Sequence, residues 1–378
     1  MKAEKLIYEI KHSGIENLIG VPDSTLKEFC NYINGEGKDE LIHVTPHNEG
    51  AAVGMATGVY LSTGKPACVY MQNSGLGNIV NPVTSIANEA VYGIPMLFLI
   101  GWRGEPGVHD EPQHVFMGEV TLSLLDVMNI PYSVISKETS DEELESIFTV
   151  ANKYLGEEKQ YAIVIKKGTF EAGKKNSHSN GYTLVRENAI SAILKCLKDD
   201  DVVISTTGKI SREVYEQSDA VLGQHAQEFL TVGGMGHASM IALGYAMNRK
   251  DKRVVCIDGD GAVLMHMGAF PVIGNIKPSN YVHICINNDS HESVGGMPTG
   301  AVGQDYYKIA KECGYTKTYV ATSENELETV LKNVNEIEGP VFIEVKVSME
   351  SRADLGRPKE TAQENKKGFM KYHGVTNI

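Results

Sequence analysis

Asp260, Asn287 and Asn288 are the residues of this 378-residue chain whose types and spacing most plainly suggest chemistry. Asp260 stands in Gly259-Asp260-Gly261, just after the β-branched run Val254–Ile257. The paired asparagines follow after twenty-five residues (262 to 286), at the end of a second such run, Val282–Ile286. Two short apolar runs separated by a helix-length segment are the pattern of a strand–helix–strand unit with parallel strands. In such a unit the carboxyl ends of the strands and the N-termini of the following helices form a crevice for anions and metals. Hard oxygen ligands beside backbone amides suit a magnesium ion carrying a diphosphate. The plainer alternative is two ordinary turns, in which Asp260 caps a helix and the asparagines shape a loop.

Three further clusters stand out. His47-Asn48-Glu49-Gly50-Ala51-Ala52 precedes a helix of small residues, and a first-turn glutamate is favoured there by the helix dipole alone. Gly233-Gly234-Met235-Gly236-His237-Ala238 also precedes a small-residue helix, but fails the spacing of a dinucleotide fingerprint. The segment Trp102 to His114 carries the only tryptophan, an arginine and two histidines on an expected loop.

Positioning these residues requires an α/β framework. In the first half, strand candidates at Asn17–Gly20, Leu41–Val44, Ala67–Tyr70 and Met96–Ile100 alternate with helical stretches at Ser24–Tyr32, Glu49–Leu61 and Leu76–Ala90. Tyr132–Ile135, a helix at Asp141–Leu155 and Tyr161–Ile165 continue the rhythm. From Lys166 the composition turns to Lys, Gly, Ser, Asn and His, and the alternation restarts after Tyr182. The expected domains are residues 1–167 and 185–378, joined by a linker at 168–184, each a mostly parallel sheet flanked by helices, with no middle domain.

Composition narrows the function. With 35 basic against 48 acidic residues the formal net charge is −13, which speaks against a general nucleic-acid or anionic-membrane surface. The six cysteines are scattered without metal or disulfide spacing and read as core thiols of a reducing compartment. The N-terminus reads as an amphipathic helix and not a signal sequence, and no stretch approaches the ~20 apolar residues of a membrane span. A soluble, cytoplasmic protein is expected.

The Gly-Asp-Gly…Asn-Asn spacing resembles the cofactor motif of thiamine diphosphate-dependent decarboxylases and transketolases. Other segments resemble the phosphonopyruvate decarboxylases in particular: Gly20-Val-Pro-Asp-Ser, Gln72-Asn-Ser-Gly-Leu-Gly-Asn, the Trp102–His114 loop, Thr207-Gly-Lys-Ile-Ser-Arg-Glu, His291-Glu-Ser-Val-Gly-Gly and Arg352-Ala-Asp-Leu-Gly-Arg-Pro. They span residues 20 to 358. The resemblance implies a pyrimidine-binding domain followed by a diphosphate-binding domain. It also implies non-oxidative decarboxylation of a small anionic 2-keto acid, 3-phosphonopyruvate, to phosphonoacetaldehyde and CO2 through the cofactor's ylid and an enamine, in phosphonate biosynthesis.

By the same resemblance Glu49 would hydrogen-bond the aminopyrimidine and Met235 would prop the cofactor in a bent conformation. Thr207, Gly208, Gly234, Gly259, Gly261 and Ala262 would line its diphosphate arm. Mg2+ would be held by Asp260, Asn288 and the carbonyl of Ser290. The register stays open by one residue, with Asn287 the alternative ligand, because relatives often have glycine where this chain has Asp289. Asp23, His109, His114 and His291 are the candidates for proton transfer. Ser24, Arg103, Lys209 and Arg212 are the candidates for gripping the anion. The resemblance further implies a homodimer or higher homo-oligomer, with Glu49 and the diphosphate site supplied by different subunits.

Rival readings remain open. Sulfopyruvate decarboxylases share the motifs but are often built from two separate subunits, so fusion of the two halves, together with the Trp102–His114 loop, favours the phosphonate. A carboligating synthase usually carries a middle domain and a flavin. A catalytically inactive thiamine diphosphate-binding scaffold would not need Glu49. A Rossmann dehydrogenase is disfavoured by the missing glycine fingerprint.

Overall fold

The computed structural model describes residues 1–174, 179–294, 296–300, 302–349 and 351–375. The chain divides into two compact units, Met1–Ser177 with His291–Gly300, and His178–Ser290 with Ala301–Ile378.

In the first unit the elements are α1 (Ala3–His12), β1 (Asn17–Gly20), α2 (Lys27–Ile33), β2 (Ile42–Val44), α3 (Glu49–Thr63), β3 (Ala67–Gln72), α4 (Leu76–Pro82), β4 (Met96–Gly101), α5 (Pro112–Val127), β5 (Tyr132–Ile135), α6 (Asp141–Gly156) and β6 (Gln160–Ile165). The strands form one parallel sheet ordered β2-β1-β3-β4-β6-β5. β3, β4 and β6 are buried on both faces, as their unbroken apolar runs require. One core packs α1, α2 and α6 on one side through Leu6, Phe29 and Phe148, and the other packs α3, α4 and α5 through Val53, Ile79 and Leu125.

The second unit comprises α7 (Arg186–Lys195), β7 (Val202–Ser205), α8 (Lys209–Val221), β8 (Glu228–Leu230), α9 (Ala238–Asn248), β9 (Val254–Gly259), α10 (Asp260–Met265), α11 (Ala269–Ile276) and β10 (Tyr281–Asn287). After a two-stranded ribbon, β11 (Ser290–His291) with β12 (Met297–Pro298), of which His291–Gly300 groups with the first unit, the second unit continues with α12 (Tyr306–Glu312), β13 (Lys317–Ala321), α13 (Glu324–Val334), β14 (Val341–Lys346) and α14 (Ala362–Tyr372). Its sheet is also parallel, ordered β13-β14-β10-β9-β7-β8.

Three local outcomes differ from the sequence reading. The helix expected over Leu76–Ala90 stays α-helical only to Pro82 and continues as a π-helical turn over Val83–Ala87, where the proline interrupts the ladder of amide donors. The loop expected from Trp102 to His114 ends at Glu111, because Pro112 occupies the first position of α5, so His114 is helical. The expected linker is not a free tether at its ends. Phe170 stacks on Phe29 with ring centroids 5.9 Å apart, the Glu171 amide donates to the Met1 carbonyl at 2.9 Å, and the Asn180 amide group donates to the carbonyls of Asn288 and Val347 at 2.9 and 2.8 Å. The centre of that linker, 175–178, lies outside the described residues.

Candidate active site in two half-sites

In the first unit the strand order reverses direction between β1 and β3, so the loops leaving these strands diverge and open a crevice at the carboxyl edge of the sheet. Glu49 is the first residue of α3 and is 5 % exposed. The Asn48 side chain caps that helix by accepting from the Ala51 amide at 2.9 Å. Asn78 donates to Glu49 Oε2 at 2.6 Å. A β-carbon at Gly75 would lie 2.6 Å from Glu49 Cγ and 2.6 Å from Oε1, so only glycine lets the carboxylate lie against that backbone. Gly75 and Asn78 both belong to the Gln72–Asn78 segment, whose individual roles the sequence alone did not reveal.

Beside it, the loops after β1 and β4 meet. Asp23 is 1 % exposed and accepts on Oδ2 from the amides of Thr25 (3.0 Å) and Leu26 (3.3 Å), while its Oδ1 has no protein partner. Burial pushes its carboxyl up to about 6, against the pull of those amides and the Arg103 charge. Arg103 binds Asp110 through Nε (2.7 Å) and Nη2, and donates from Nη1 to the Ser24 hydroxyl at 2.6 Å. Against a burial that would raise it, the guanidinium and the amides of Glu111 and Gly104 hold Asp110 well below the usual carboxylate range. Asp110 thus aims Arg103, a role that nothing in its sequence setting marked. The Asn73 side chain fixes the Arg103 backbone from both sides, donating to its carbonyl at 2.8 Å and accepting from its amide at 3.2 Å.

Trp102 is a structural plug: it is 8 % exposed and its indole donates to the Gly118 carbonyl at 2.9 Å. His114 is half-buried, and burial followed by the Arg103 charge lowers its imidazole. His109 is exposed at the loop tip, away from the Asp23–Arg103 group's hydrogen bonds. His291 is half-buried, and its packed surroundings push the imidazole down to about 4, so it is neutral near pH 7.

The second unit gathers the diphosphate-side candidates. Gly208, at φ +92, caps α8, and the Thr207 hydroxyl donates to the Val232 carbonyl at 2.8 Å. The Lys209 ammonium donates to Ser351 Oγ at 2.7 Å, whereas Arg212 is drawn to the C-terminal segment, donating from Nε to the Gly356 carbonyl at 2.7 Å and from Nη2 to that of Leu355. Gly234 has φ +64, and half-buried Met235 lies in the turn that precedes α9. Gly259 ends β9, so Asp260, Gly261 and Ala262 open α10.

Asp260 is 4 % exposed and its Oδ2 has no protein partner. Burial, then the nearby Asp289 charge, pushes its carboxyl up to about 7. Asp289 Oδ1 and the Ser290 hydroxyl are likewise buried without partners. One unpartnered oxygen on each of two neighbouring carboxylates could serve as the donor set of a cation site, and hard oxygens suit Mg2+. Asn287 is 0 % exposed and its amide is committed inward, donating to Glu344 Oε1 at 2.8 Å and accepting from the Asp289 amide at 2.9 Å. Asn288 is also buried, at 5 % exposure, and its Oδ1 accepts from the Ser290 amide at 3.1 Å in the same turn. Asp289 has φ +57, a conformation glycine adopts without strain. Asp260, Asn288 and the Ser290 carbonyl could therefore hold the metal, with Asp289 contributing charge.

Elsewhere in this unit, Cys256, Asp258 and His283 have ligand atoms within 4.8 Å of one another. They sit among Phe270, Tyr315 and Phe342, and burial pushes the Cys256 thiol well above its ordinary value, so it stays protonated core.

These two sets of residues invite comparison with known families. Residues 1–127 match the model of the thiamine pyrophosphate enzyme N-terminal TPP binding domain, and residues 207–345 that of the C-terminal TPP binding domain. Over 98% of its length the chain is 33% identical to a phosphonopyruvate decarboxylase of Streptomyces viridochromogenes, covering 94% of that protein. The chain belongs to the phosphonopyruvate decarboxylase family of thiamine pyrophosphate enzymes. A second such relative, from Streptomyces hygroscopicus, is 32% identical over 98% of this chain and 94% of its own. A sulfopyruvate decarboxylase of Methanosarcina acetivorans is 27% identical over 90% of each chain. The thiamine diphosphate cofactor and the decarboxylase class expected from the motifs follow from this membership, and two parallel sheets without a middle domain are the matching architecture. No helix among the described residues is long and apolar enough to cross a membrane.

Proposed function

We propose that this chain decarboxylates 3-phosphonopyruvate to phosphonoacetaldehyde and CO2, a step of phosphonate biosynthesis. The observation that carries the reading is the match along 98% of the chain to a phosphonopyruvate decarboxylase, with Glu49 and the orphaned Asp260 carboxylate both in place. When bound, thiamine diphosphate supplies a carbon nucleophile and an electron sink. Glu49, oriented by Asn78 and the Gly75 backbone, would hold or give up a proton at its carboxylate toward the bound cofactor. Asp260, Asn288 and the Ser290 carbonyl would hold Mg2+, Thr207, Gly208, Gly234, Gly259, Gly261 and Ala262 would leave room for the diphosphate, and Met235 would support the bound cofactor. Asp23, with a carboxyl near 6, is the best-placed donor or acceptor of the proton that replaces CO2. Arg103 and Ser24 form one anion grip, and Lys209 a second.

A homodimer completes the site. The outer face of α3 exposes Gly54, Met55, Gly58 and Leu61, and that of α9 exposes Met240, Ile241, Gly244 and Met247. Apolar helix faces with small residues are what a second copy of the chain would cover. Pairing of copies would bring Glu49 of one chain to the diphosphate half of the other.

Sulfopyruvate is the second reading. Fusion of the two halves does not separate the two substrates, because the sulfopyruvate decarboxylase of Methanosarcina acetivorans also aligns across both halves. Turnover of the two keto acids at equal concentration decides it: phosphonopyruvate should react faster, and the reverse order overturns the proposal.

A further inference from the structure

Glu344 is a carboxylate in the middle of β14 that is 0 % exposed, and the decarboxylation makes no direct use of it. Its register partner across the parallel ladder is Cys285, and two residues on Lys346 pairs with Asn287. Side chains two apart on a strand share a face, so Glu344, Lys346 and Asn287 are brought together by pleat alone. Lys346 Nζ lies 2.7 Å from Glu344 Oε1, and the same oxygen accepts from Asn287 Nδ2 at 2.8 Å. The other oxygen, Oε2, accepts from the Tyr307 amide at 3.1 Å, at the start of α12. Lys346 is 5 % exposed and also reaches the Gln304 carbonyl at 3.4 Å.

The consequences run outward to both sides of the cation site. Asn287, clamped by Glu344, accepts from the Asp289 amide at 2.9 Å and so shapes the turn in which Asp289 takes its φ of +57. The neighbouring Tyr306, on the α12 turn that Glu344 also holds, donates its hydroxyl to the Asp260 carbonyl at 3.3 Å. One buried carboxylate therefore ties together the strand β14, the 287–290 turn and the α12 start that touches Asp260. A core needing only to be filled would be served by apolar residues, since a buried ion pair gives little net stability over them. A charge at this position has a geometric use: it fixes backbone and amide positions that an apolar side chain leaves loose.

We propose that Glu344, paired with Lys346, is a positioning residue for the metal and diphosphate site, acting through Asn287 and α12 and touching neither the cofactor nor the metal. This rests on the reading of Asp260, Asn288 and Ser290 as the Mg2+ site. Removing an outer partner of a metal ligand set weakens affinity by about 10- to 100-fold.

The test is a calorimetric titration of thiamine diphosphate into the full-length apo-protein at a series of Mg2+ concentrations, with the thermal midpoint of the apo-protein measured alongside. For Glu344→Gln the Mg2+ needed for half-maximal cofactor binding should rise about 10-fold or more, and binding should recover at saturating Mg2+. Asn287→Ser, which leaves the ion pair intact, should shift the Mg2+ dependence in the same direction, and it stands in if Glu344→Gln does not fold. A lowered thermal midpoint with the wild-type Mg2+ dependence in the folded variant overturns the positioning role. Cofactor binding by the wild type that is indifferent to Mg2+ would instead sink the metal assignment on which it rests.

Discussion

The two units have the same sheet. Renumbered from its own first strand, each runs 2-1-3-4-6-5, all parallel, so the loops after corresponding strands occupy corresponding places. After the first strand stand Asp23 and Ser24 in one unit, Thr207, Gly208 and Lys209 in the other. At the start of the helix that leads into the third strand stands Glu49 in one, and in the turn just before it Met235 in the other. After the fourth come the Arg103 loop and the Asn288–Ser290 turn. What differs is how the carboxylates are satisfied. Glu49 and Asp110 have protein donors, Asn78 and Arg103, whereas Asp260 and Asp289 keep oxygens with none. A shared frame therefore yields one unit in which Glu49 and Asp110 are met by protein donors, Asp23 keeping one bare oxygen, and one in which neighbouring Asp260 and Asp289 each keep an oxygen open to a cation. The physical divide is the cost of a buried charge, which must be met by donors from the chain or from an ion.

The sharpest way to break this contrast is to remove one carboxylate from each half. Glu49→Gln should leave Mg2+-dependent cofactor binding in place and lower kcat by about 100- to 10,000-fold, the range for a lost proton-transfer group. Undiminished decarboxylation by that variant would rule out proton exchange through Glu49 and favour an inactive binding role for the wild-type carboxylate. Asp260→Asn should do the opposite at the level of binding: calorimetry should find the Mg2+-dependent cofactor affinity reduced at least about 100-fold, since a direct ligand matters more than its outer partners. Equal binding losses in the two variants would erase the division of labour.

A smaller effect is expected from crowding rather than removing the glutamate. Gly75→Ala places a methyl on the Glu49 side chain and should lower kcat roughly 100-fold, the scale of an ångström-sized misplacement, with the circular-dichroism spectrum and cofactor affinity retained. A wild-type rate in this variant would show that the Glu49 position is not tightly set.

Asp23 sharpens the comparison from the stability side, because it is the one first-unit site carboxylate among the described residues with an unpartnered oxygen. Its folded value of about 6 lies above the ordinary 3.8, so the folded state holds the proton more firmly. That group's contribution is best below pH ~4, and stability is lost as pH rises through 6. Asp23→Asn should remove this loss and be more stable than wild type above pH 6 by about 3 kcal/mol, as read by urea unfolding across pH. Identical pH slopes for the two proteins would mean that water or another donor satisfies Asp23.

Much of this was legible in the residues themselves. Strand positions could be read because central parallel strands are buried on both faces and so appear as runs such as Val254–Ile257 and Met96–Ile100, while edge strands β8 and β13 lack that signal and were missed. Glu49, Asp260 and Asn288 could be singled out because the motif that carries them depends on residue type at fixed spacing within a strand–turn–helix unit, and the structure places Glu49 and Asp260 at helix starts. Partnership was not readable. Arg212 has the right charge and place for gripping an anion, yet it is spent on the carbonyls of Leu355 and Gly356, more than a hundred residues away. Trp102 stood out as a loop residue, and the fold turned it inward onto Gly118.

By itself the sequence determined the fold class and the cofactor, and it singled out Glu49 and Asp260 as the carboxylates to test, since these follow from local pattern and residue type. Only the tertiary structure decided that Asn287 bonds Glu344 while Asn288 bonds the Ser290 amide, that Asp110 pairs with Arg103, and that Glu344 joins β14 to the 287–290 turn and the start of α12. Those choices depend on which strands become neighbours and in what register, and hydrogen bonds between residues far apart in the chain are set by that register.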